Sequence, residues 1–416
     1  MIDFLVGRQL KSALGNPRKV LFGISLFFNI GILFVFKYFN FFIETFTEAF
    51  LLFGKPISYN SLEFILPVGI SFYTFQTLSY TIDVYRRRID PTADVVSFFA
   101  FVSFFPQLVA GPIERASNLL PQFQKTRIFD YHKSVDGLRL ILGGLFKKMV
   151  IADNCALIVN NLFENYTDYS GSTLFCGAIF FGFQIYGDFS GYSDIAIGSA
   201  RLLGFDLMKN FNFPYLSKNL IEFWRRWHIS LSTWFRDYIY IPLGGNRVSN
   251  SRLIFNILIV FLLSGLWHGA NLTFLFWGLI HGAILICTVF ISKYKRLNVF
   301  MDNQKSIAID FIRIGITFFI VTIAWVFFRA ENITEAFGYI NRIFSTSFFS
   351  IPQGNKLFLI LLMGYFLIEW FQKKREHLLD ICHISLKPIR YLIYYATAFL
   401  VFYYGGDLQT FIYFQF

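Results

Sequence analysis

Long apolar runs recur along the whole chain, and they limit what it can fold into more than any other feature. An α-helix needs about 20 apolar residues to cross roughly 30 Å of bilayer hydrocarbon. Runs close to that length predict membrane-crossing helices, some of them short or interrupted by polar residues. These runs lie at 20–36, 62–82, 137–158, 172–199, 253–267, 272–292, 308–328, 356–371 and 390–404.

The composition excludes an ordinary soluble fold. Of the 416 residues, 55% are hydrophobic and only 15% are charged, and the mean hydropathy is +0.53. Soluble proteins are about 25% charged, and a soluble fold would have to hide too much apolar surface. The 57 Phe and 22 Tyr residues suit lipid-facing helices and interfacial belts. We therefore predict an all-α, polytopic membrane protein, with residues 1–416 forming a single transmembrane domain.

The net charge of +11 indicates membrane topology and contact with the lipid bilayer, including anionic lipid. Nucleic acid is not a predicted partner: single-stranded nucleic-acid binding uses basic residues interleaved with aromatic ones, but here the aromatic residues lie within apolar spans. Cytoplasmic loops carry an excess of Lys and Arg, so the basic clusters place the amino terminus inside. The clusters are Arg8/Lys11/Arg18/Lys19, Arg86/Arg87/Arg88, Lys125/Arg127/Lys133, Lys293/Lys295/Arg296 and Lys373/Lys374/Arg375.

Three stretches do not read as plain membrane helices. Residues 1–19 lack a sustained apolar core and a cleavage motif, which predicts an interfacial helix and no cleaved signal. Residues 94–111 would have cytoplasmic loops at both ends and contain Pro106, which predicts a re-entrant or broken segment. Residues 205–247 are too polar to span, and we expect short or re-entrant helices there that face the cytoplasm.

His268 lies between two apolar runs in SGLWHGAN. Ionisable residues at membrane depth are expensive and are tolerated mainly where they line a cavity or do chemistry. A neutral imidazole can accept a proton near pH 7, as a general base must. The alternative is a buried histidine whose hydrogen bond goes to a backbone carbonyl, and the residues alone leave both interpretations open.

His228 lies in FWRRWHISLSTWFRDYIYIPLGGNR (223–247), flanked by three arginines. Guanidinium groups bind phosphate through paired hydrogen bonds, so Arg225, Arg226 and Arg236 could hold the phosphates of a donor such as coenzyme A. The alternative is charge pairing at the interface with carboxylates elsewhere. On an uninterrupted helix, Trp224 and His228 would share a face.

Other polar groups inside apolar runs favour structural roles. His281, in WGLIHG, could line the same cavity as His268, but packing is the stronger interpretation. Asp188 and Asp194, in QIYGDFSGYSDIAIG (184–198), could relay protons, but pairing with the arginine-rich segment is favoured. His132, His377 and His383 fall in polar loops and receive no role. The four cysteines, Cys155, Cys176, Cys287 and Cys382, form no CxxC pair and predict neither a disulfide framework nor a metal site.

No Walker motif, GxSxG, HExxH or dinucleotide fingerprint appears in the sequence. The sequence does resemble the membrane-bound O-acyltransferase family, most closely its bacterial branch for alginate and peptidoglycan O-acetylation. The D-alanyl transferase of teichoic acids is a more distant relative. The resemblance rests on segments 67–87, 104–123, 183–198, 223–247, 264–282, 325–337 and 411–416.

The resemblance implies a ring of transmembrane and re-entrant helices around a central tunnel. His268 would be the family's essential histidine and His228 the second histidine of the bacterial branch. Relatives usually carry further apolar helices before the segment that matches IDFLVGRQL, so we expect a shortened form or a late start codon. We further expect at the donor site Arg225, Arg226, Arg236, Trp227 and Asn246, and along the tunnel Asp188, Tyr186, Trp267, Asn271 and His281.

The expected activity is transfer of acetyl from acetyl-CoA, as substrate and not as a bound cofactor, toward a hydroxyl of an extracytoplasmic polysaccharide. The expected location is the bacterial cytoplasmic (inner) membrane, with an extracytoplasmic SGNH or esterase-like protein as partner and no metal. Competing interpretations are a proton-coupled transporter and a non-catalytic scaffold of a polysaccharide export complex. The absence of an internal repeat in the sequence counts against the transporter.

Overall fold

The computed structural model describes residues 1–54, 67–293, 306–354, 356–405 and 409–412. Within those residues the chain is all-α, with no β-strand, and the predicted polytopic membrane class is confirmed. The α-helices are α1 Ile2–Ser12, α2 Gly15–Leu33, α3 Phe39–Leu52, α4 Ile70–Tyr85, α5 Val95–Val102, α6 Ala116–Gln124, α7 Tyr131–Leu145, α8 Asp153–Glu164, α9 Gly171–Leu202, α10 Leu220–Arg226, α11 Ile229–Phe235, α12 Asn250–His268, α13 Leu272–Lys293, α14 Ile307–Arg329, α15 Ile333–Ile343, α16 Lys356–Gln372 and α17 Lys387–Tyr404.

Short helical pieces join several of these helices. One π-helical segment, Phe34–Tyr38, connects α2 to α3, and another, Phe146–Ala152, connects α7 to α8. A third, Arg236–Tyr240, extends α11. Single 3₁₀ turns occur at Tyr166–Asp168, Pro214–Leu216 and Thr346–Phe349. Such π-helical stretches are rare and often occur near functional sites.

Length and apolar composition qualify several described helices to cross a membrane. They are Gly15–Leu51, Asn250–His268, Leu272–Ser292 and Ile307–Arg329, with Phe358–Gln372 as a shorter apolar helix. The predicted runs 253–267, 272–292 and 308–328 are therefore confirmed. The run 62–82 lies partly outside the described residues, as do Lys295 and Arg296 of one basic cluster.

Residue contacts divide the chain into two compact units. The first comprises Met1–Phe129 with Gly204–Met208, and the second comprises Asp130–Leu203 with Lys209–Phe416. A single transmembrane domain and a tunnel inside it stay predictions. Every candidate catalytic, donor-site and tunnel residue belongs to the second unit.

In the first unit, residues 1–19 are helical but break before α2, where Ala13 is extended. Buried Asp3 of α1 accepts hydrogen bonds from Ser25 Oγ, at 2.5 Å, and Asn29 Nδ2, at 2.9 Å. The predicted broken segment 94–111 is confirmed in its local structure: α5 ends at Val102, and turns lead past Pro106. Its re-entrant placement stays a prediction.

In the second unit, α7 and α9 approach so closely that their backbones touch at paired glycines. A Cβ added to Gly191 would lie 2.7 Å from the carbonyl oxygen of Gly144, and one on Gly137 would lie 2.8 Å from that of Gly198. Real Cβ atoms do not make such contacts, so any side chain would push the helices apart. Small residues of this kind are the usual contact surface between membrane helices.

The stretch 205–247 folds into short helices, as the sequence predicts. Helices α10 and α11 span only seven residues each. The uninterrupted helix considered for Trp224 and His228 is wrong, because His228 takes a left-handed conformation with φ 43° and separates the two. Gly244 and Gly245, both at positive φ, form the expected turn. Buried Asn256 fastens that turn by donating to the carbonyl oxygens of Leu243, at 3.2 Å, and Gly245, at 3.1 Å.

Candidate functional site

His268 ends α12 and is almost fully buried, with 5% of its surface exposed. The helix stops there because Gly269 takes an extended conformation. The imidazole packs edge-on against the rings of Trp267, Trp277 and Phe328, with centroid distances of 5.0, 5.2 and 5.1 Å. Trp267 also contacts the ring of His228, so both candidate histidines pack against the same indole.

His228 lies at the break between α10 and α11 and is completely buried. Its ring packs against Phe189 at 4.6 Å and Trp267 at 5.7 Å between centroids. Nδ1 lies 3.2 Å from Asn210 Oδ1, and Nε2 has no hydrogen-bond partner among the described residues. His228 is outside the membrane-crossing helices, and burial lowers its pKa from 6.5 to about 3. The imidazole is therefore neutral at physiological pH.

His281 of α13 completes a cluster of histidines and indoles, named here the aromatic–histidine cluster. It comprises His228, His268, His281, Trp224, Trp267 and Trp277. Trp277 lies between two of the histidines, 5.2 Å from His268 and 4.9 Å from His281 between ring centroids. His281 is fully buried, and neither of its ring nitrogens has a hydrogen-bond partner among the described residues.

The arginines near His228 differ in how they are held. Arg226 Nη2 lies 2.6 Å from Glu222 Oε1, and Nη1 donates to the Asn212 carbonyl at 3.3 Å. Arg236 Nε lies 2.7 Å from the carboxylate of its neighbour Asp237. Arg225 is exposed and forms no ion pair or hydrogen bond within the described residues. Of these three side chains, Arg225 alone has its whole guanidinium available.

Two further donor-site candidates lie in contrasting surroundings. Trp227 is buried, with 2% exposed, and packs against Phe223, Trp325 and Phe211 at centroid distances of 5.6, 5.0 and 5.1 Å. Asn246 is exposed just after the glycine turn. Trp227 is therefore part of a buried aromatic core, whereas Asn246 is open to solvent.

The expectation that Asp188 and Asp194 pair with the arginine-rich segment is wrong. Their partners are lysines of the π-helical segment 146–152: Asp188 lies 2.7 Å from Lys148 Nζ and Asp194 lies 2.8 Å from Lys147 Nζ. Lys148 also holds Asp153 at 2.8 Å. The interhelical pairing arises because paired glycines bring α7 and α9 together.

Asp188 also holds a distant part of the chain. Its Oδ2 accepts the backbone N–H of Ile412 at 2.7 Å, and Lys148 Nζ donates to the Gln409 carbonyl at 3.3 Å. The nearby Tyr186 hydroxyl donates to Glu369 Oε1 at 2.7 Å, and Tyr365 donates to the same atom at 2.6 Å. These lysines, carboxylates and tyrosines form a second set of buried polar groups, named here the ion network.

Asn271, expected along the tunnel, has a structural role at the start of α13. Its Oδ1 accepts the Thr273 N–H at 3.0 Å, and its Nδ2 donates to the Glu331 carbonyl at 2.8 Å. These contacts occupy the amide and are those of a helix N-cap. The tunnel itself stays a prediction for Asn271 and for Asp188, Tyr186, Trp267 and His281.

Sequence reasoning missed several buried polar residues. Lys147 and Lys148 fall within the apolar run 137–158, and Glu369 falls within 356–371. The argument used for His268, that ionisable groups at membrane depth need an explanation, would have identified all three. Asn210 carried no such signal, because an asparagine in a polar stretch looks like a turn residue. Among the described residues, no group of three or more His, Cys, Asp and Glu side chains could hold a metal ion.

Comparison with known proteins identifies a family and several relatives. Residues 87–329 match the model of the membrane-bound O-acyltransferase family, and these bounds contain both His228 and His268. The "Probable alginate O-acetylase AlgI" of Pseudomonas aeruginosa is 40% identical over 343 residues, covering 81% of this chain and 64% of that protein. The "Peptidoglycan O-acetyltransferase" of Helicobacter pylori is 36% identical over 364 residues, covering 81% and 67%.

A more distant relative carries a different acyl group in its name. The "Teichoic acid D-alanyltransferase" of Bacillus subtilis is 28% identical over 277 residues, covering 64% of this chain and 69% of that protein. This chain spans 64% of the length of the Pseudomonas aeruginosa relative. The family match covers more than half of the chain, and the chain belongs to the membrane-bound O-acyltransferase family.

Proposed function

We propose that this chain is a membrane-embedded O-acyltransferase that moves acetyl from acetyl-CoA toward hydroxyl groups of an extracytoplasmic polysaccharide. One observation carries the proposal: buried His268 and His228 both contact Trp267 within the segment that matches the family. The names of two relatives supply the acetyl group and the glycan class, alginate for one and peptidoglycan for the other.

His268 acts as the general base in this proposal. Its imidazole takes the proton of the attacking hydroxyl as the new C–O bond forms at the thioester carbonyl. The C–S bond then breaks, and the imidazolium returns the proton to the thiolate that leaves. The apolar rings around His268 exclude water, which strengthens interactions with the charge that develops on the carbonyl oxygen.

The donor and acceptor approach from opposite sides of the cytoplasmic (inner) membrane. Arg225, together with Arg226, Arg236 and Asn246, steadies the coenzyme A phosphates at the cytoplasmic face. The acetyl group then passes to the glycan, directly or through an SGNH or esterase-like extracytoplasmic partner. Exposure of Arg225, Arg236 and Asn246 in the segment that precedes α12 supports this placement.

The test is acetyl transfer by the purified protein in lipid nanodiscs, with labelled acetyl-CoA and alginate or peptidoglycan fragments. We expect transfer by the wild type and a loss of about 10²–10⁴-fold in His268→Ala, as for removal of a general base. His132→Ala removes an exposed histidine and serves as the matched control with wild-type transfer. Near-normal transfer by a folded His268→Ala protein would contradict the catalytic role.

A further inference from the structure

The side chain of Asn210 is oriented by the groups around it. It is completely buried, and its Oδ1 lies 3.2 Å from the backbone nitrogen of Ser230 and 2.9 Å from Ser230 Oγ. Its Nδ2 donates to Ser193 Oγ of α9 at 3.2 Å. Because a backbone N–H can only donate, the amide atom that faces Ser230 must be the oxygen.

This orientation decides which nitrogen of His228 carries hydrogen. Nδ1 of His228 lies 3.2 Å from the same Oδ1. An amide oxygen only accepts, so Nδ1 must donate to it. In a neutral imidazole the other nitrogen then holds the lone pair. That nitrogen, Nε2, is buried and has no hydrogen-bond partner among the described residues.

We propose that Asn210 is a positioning residue that holds His228 in its Nδ1–H tautomer, so that Nε2 receives a hydrogen bond from a second hydroxyl of the acyl acceptor, beside the one whose proton His268 takes. The inference rests on the proposed function. A lone pair can pair only with a hydrogen donor, and a hydroxyl supplies one, whereas the thioester carbonyl and the phosphates of the donor supply acceptors. His228 therefore serves the acceptor alcohol, unlike the arginines beside it.

The surroundings of His228 are electrically neutral. The rings against it belong to Phe189, Phe211 and Trp267, and its polar neighbours are Asn210 and Ser230. Burial is the cause of its lowered pKa, with no contribution from a charged group.

Arg225, three residues before His228, is exposed to solvent, and three other charged residues near these positions along the chain are engaged elsewhere. Lys209 donates to Asn212 Oδ1 and to the Glu376 carbonyl, Asp194 pairs with Lys147, and Arg226 pairs with Glu222. A single charge placed at position 210 would therefore be the dominant electrostatic influence on His228.

Nitrogen-15 NMR of labelled histidine reads the protonation of each ring nitrogen directly. In the wild-type protein in nanodiscs, we expect His228 to be neutral, with hydrogen on Nδ1, down to about pH 5. His228→Phe identifies its signals by their loss. Hydrogen on Nε2, or an imidazolium at neutral pH, would overturn the proposal.

Asn210→Asp is the sharper variant, because a carboxylate still accepts from Nδ1 and from Ser230. An opposite charge at this distance raises a histidine pKa by about 1–3 units, and we expect that shift at His228. Asn256→Asp is the matched control: it is an equally buried asparagine, but its amide holds backbone carbonyls of the 243–245 turn. The control should leave the His228 titration unmoved, and an unmoved titration in folded Asn210→Asp would contradict the proposal.

Kinetics separate the acceptor from the donor. His228→Phe should lower kcat or raise the KM of the acceptor fragment while the KM of acetyl-CoA stays within about twofold, because uniform donor binding is untouched. A raised acetyl-CoA KM with an unchanged acceptor KM would overturn the assignment to the hydroxyl. If the wild type transfers no acetyl at all, the proposed function fails, but the tautomer seen by NMR still decides the role of Asn210.

Discussion

The aromatic–histidine cluster and the ion network bury polar groups in opposite ways. In the ion network, Lys148 lies within 2.8 Å of Asp153 and 2.7 Å of Asp188. In the aromatic–histidine cluster, Nε2 of His228 and both ring nitrogens of His281 have no hydrogen-bond partner among the described residues. In the ion network the lysines and aspartates pair with each other, although Glu369 Oε2 has no hydrogen-bond partner among the described residues. The aromatic–histidine cluster instead holds neutral groups with unused hydrogen-bonding capacity.

We expect this difference to separate groups that the fold requires from groups that it leaves available for chemistry. A buried ion pair that loses one partner is costly because the remaining charge stays uncompensated, so such groups are committed to the fold. A neutral imidazole with a free lone pair costs less to bury than an unpaired charge, and it can still accept a hydrogen bond or a proton. The predictions below test this division, from the largest expected effect on stability to the smallest.

Breaking the ion network should cost the most. Lys148→Met leaves the carboxylates of Asp153 and Asp188 buried without their cation and releases the Gln409 carbonyl. We expect the free energy of unfolding to fall by about 3–5 kcal/mol, as for other buried pairs. Denaturant unfolding in detergent measures it.

Lys387→Met is the control for loss of a lysine, because Lys387 is exposed at the start of α17. Surface substitutions of this kind usually change stability by less than about 0.5 kcal/mol. If Lys148→Met unfolds no more easily than Lys387→Met, the ion network does not stabilise the fold and the comparison with the aromatic–histidine cluster fails.

Acid should weaken the wild type through His228. In the unfolded chain a histidine binds a proton below pH 6.5, whereas burial lowers the pKa of folded His228 to about 3. The unfolded state therefore binds more protons between these values, so stability falls as the pH falls through that window. From pH 7 to pH 5 this one residue accounts for about 2 kcal/mol.

The check compares unfolding of wild type and His228→Phe at both pH values. The variant lacks this histidine, so its stability should fall by about 2 kcal/mol less between them. The carboxylates contribute equally to both proteins and cancel in the difference. An equal loss of stability in the two proteins would mean that His228 is also protonated in the folded state, which would contradict the neutral surroundings described above.

Charge reversal should separate Arg225 from Arg226. Arg225→Glu should raise the KM of acetyl-CoA by about tenfold, the equivalent of about 1.4 kcal/mol, with kcat little changed. Arg226→Glu instead faces Glu222, its present partner at 2.6 Å, and should lower stability. Donor titration on both purified variants distinguishes them, and an unchanged KM in folded Arg225→Glu would remove this arginine from the donor site.

Hydrophobic patterning predicts the membrane helices well because bilayer thickness fixes their length. The run 308–328 becomes α14, Ile307–Arg329, and 272–292 becomes α13, Leu272–Lys293. Patterning also singles out His268, which lies between two apolar runs and is 5% exposed.

Pairings between distant helices could not be predicted in this way. Lys148 and Asp188 meet because glycines let α7 and α9 touch, and nothing local to either residue records that contact. The break at His228 was equally hidden. A positive φ usually indicates glycine or asparagine, and here Asn210 holds a histidine there by accepting the Ser230 N–H with its side chain and the Ile229 N–H with its backbone carbonyl.

His281→Phe should have the smallest effect, and it tests the aromatic–histidine cluster from within. His281 has aromatic neighbours on several sides, including Trp224 and Trp277 at 5.1 and 4.9 Å between ring centroids. Neither of its nitrogens has a hydrogen bond to lose, and replacing an unpaired buried polar group by an apolar one of similar shape is nearly neutral or stabilising. We expect a change below about 1.5 kcal/mol and acetyl transfer close to that of the wild type.

His228→Phe is the counterpart within the same cluster. It removes the Nδ1 hydrogen bond to Asn210 and the Nε2 lone pair, so transfer should fall although the ring is again replaced by a phenyl. Thermal unfolding and acetyl transfer are measured on both variants. They show whether a buried histidine nitrogen without a hydrogen-bond partner takes part in the reaction. A folded His281→Phe protein that has lost transfer would instead place His281 on the substrate path. The substitution breaks no hydrogen bond within the protein, so the lost activity would have to come from a lost contact with substrate.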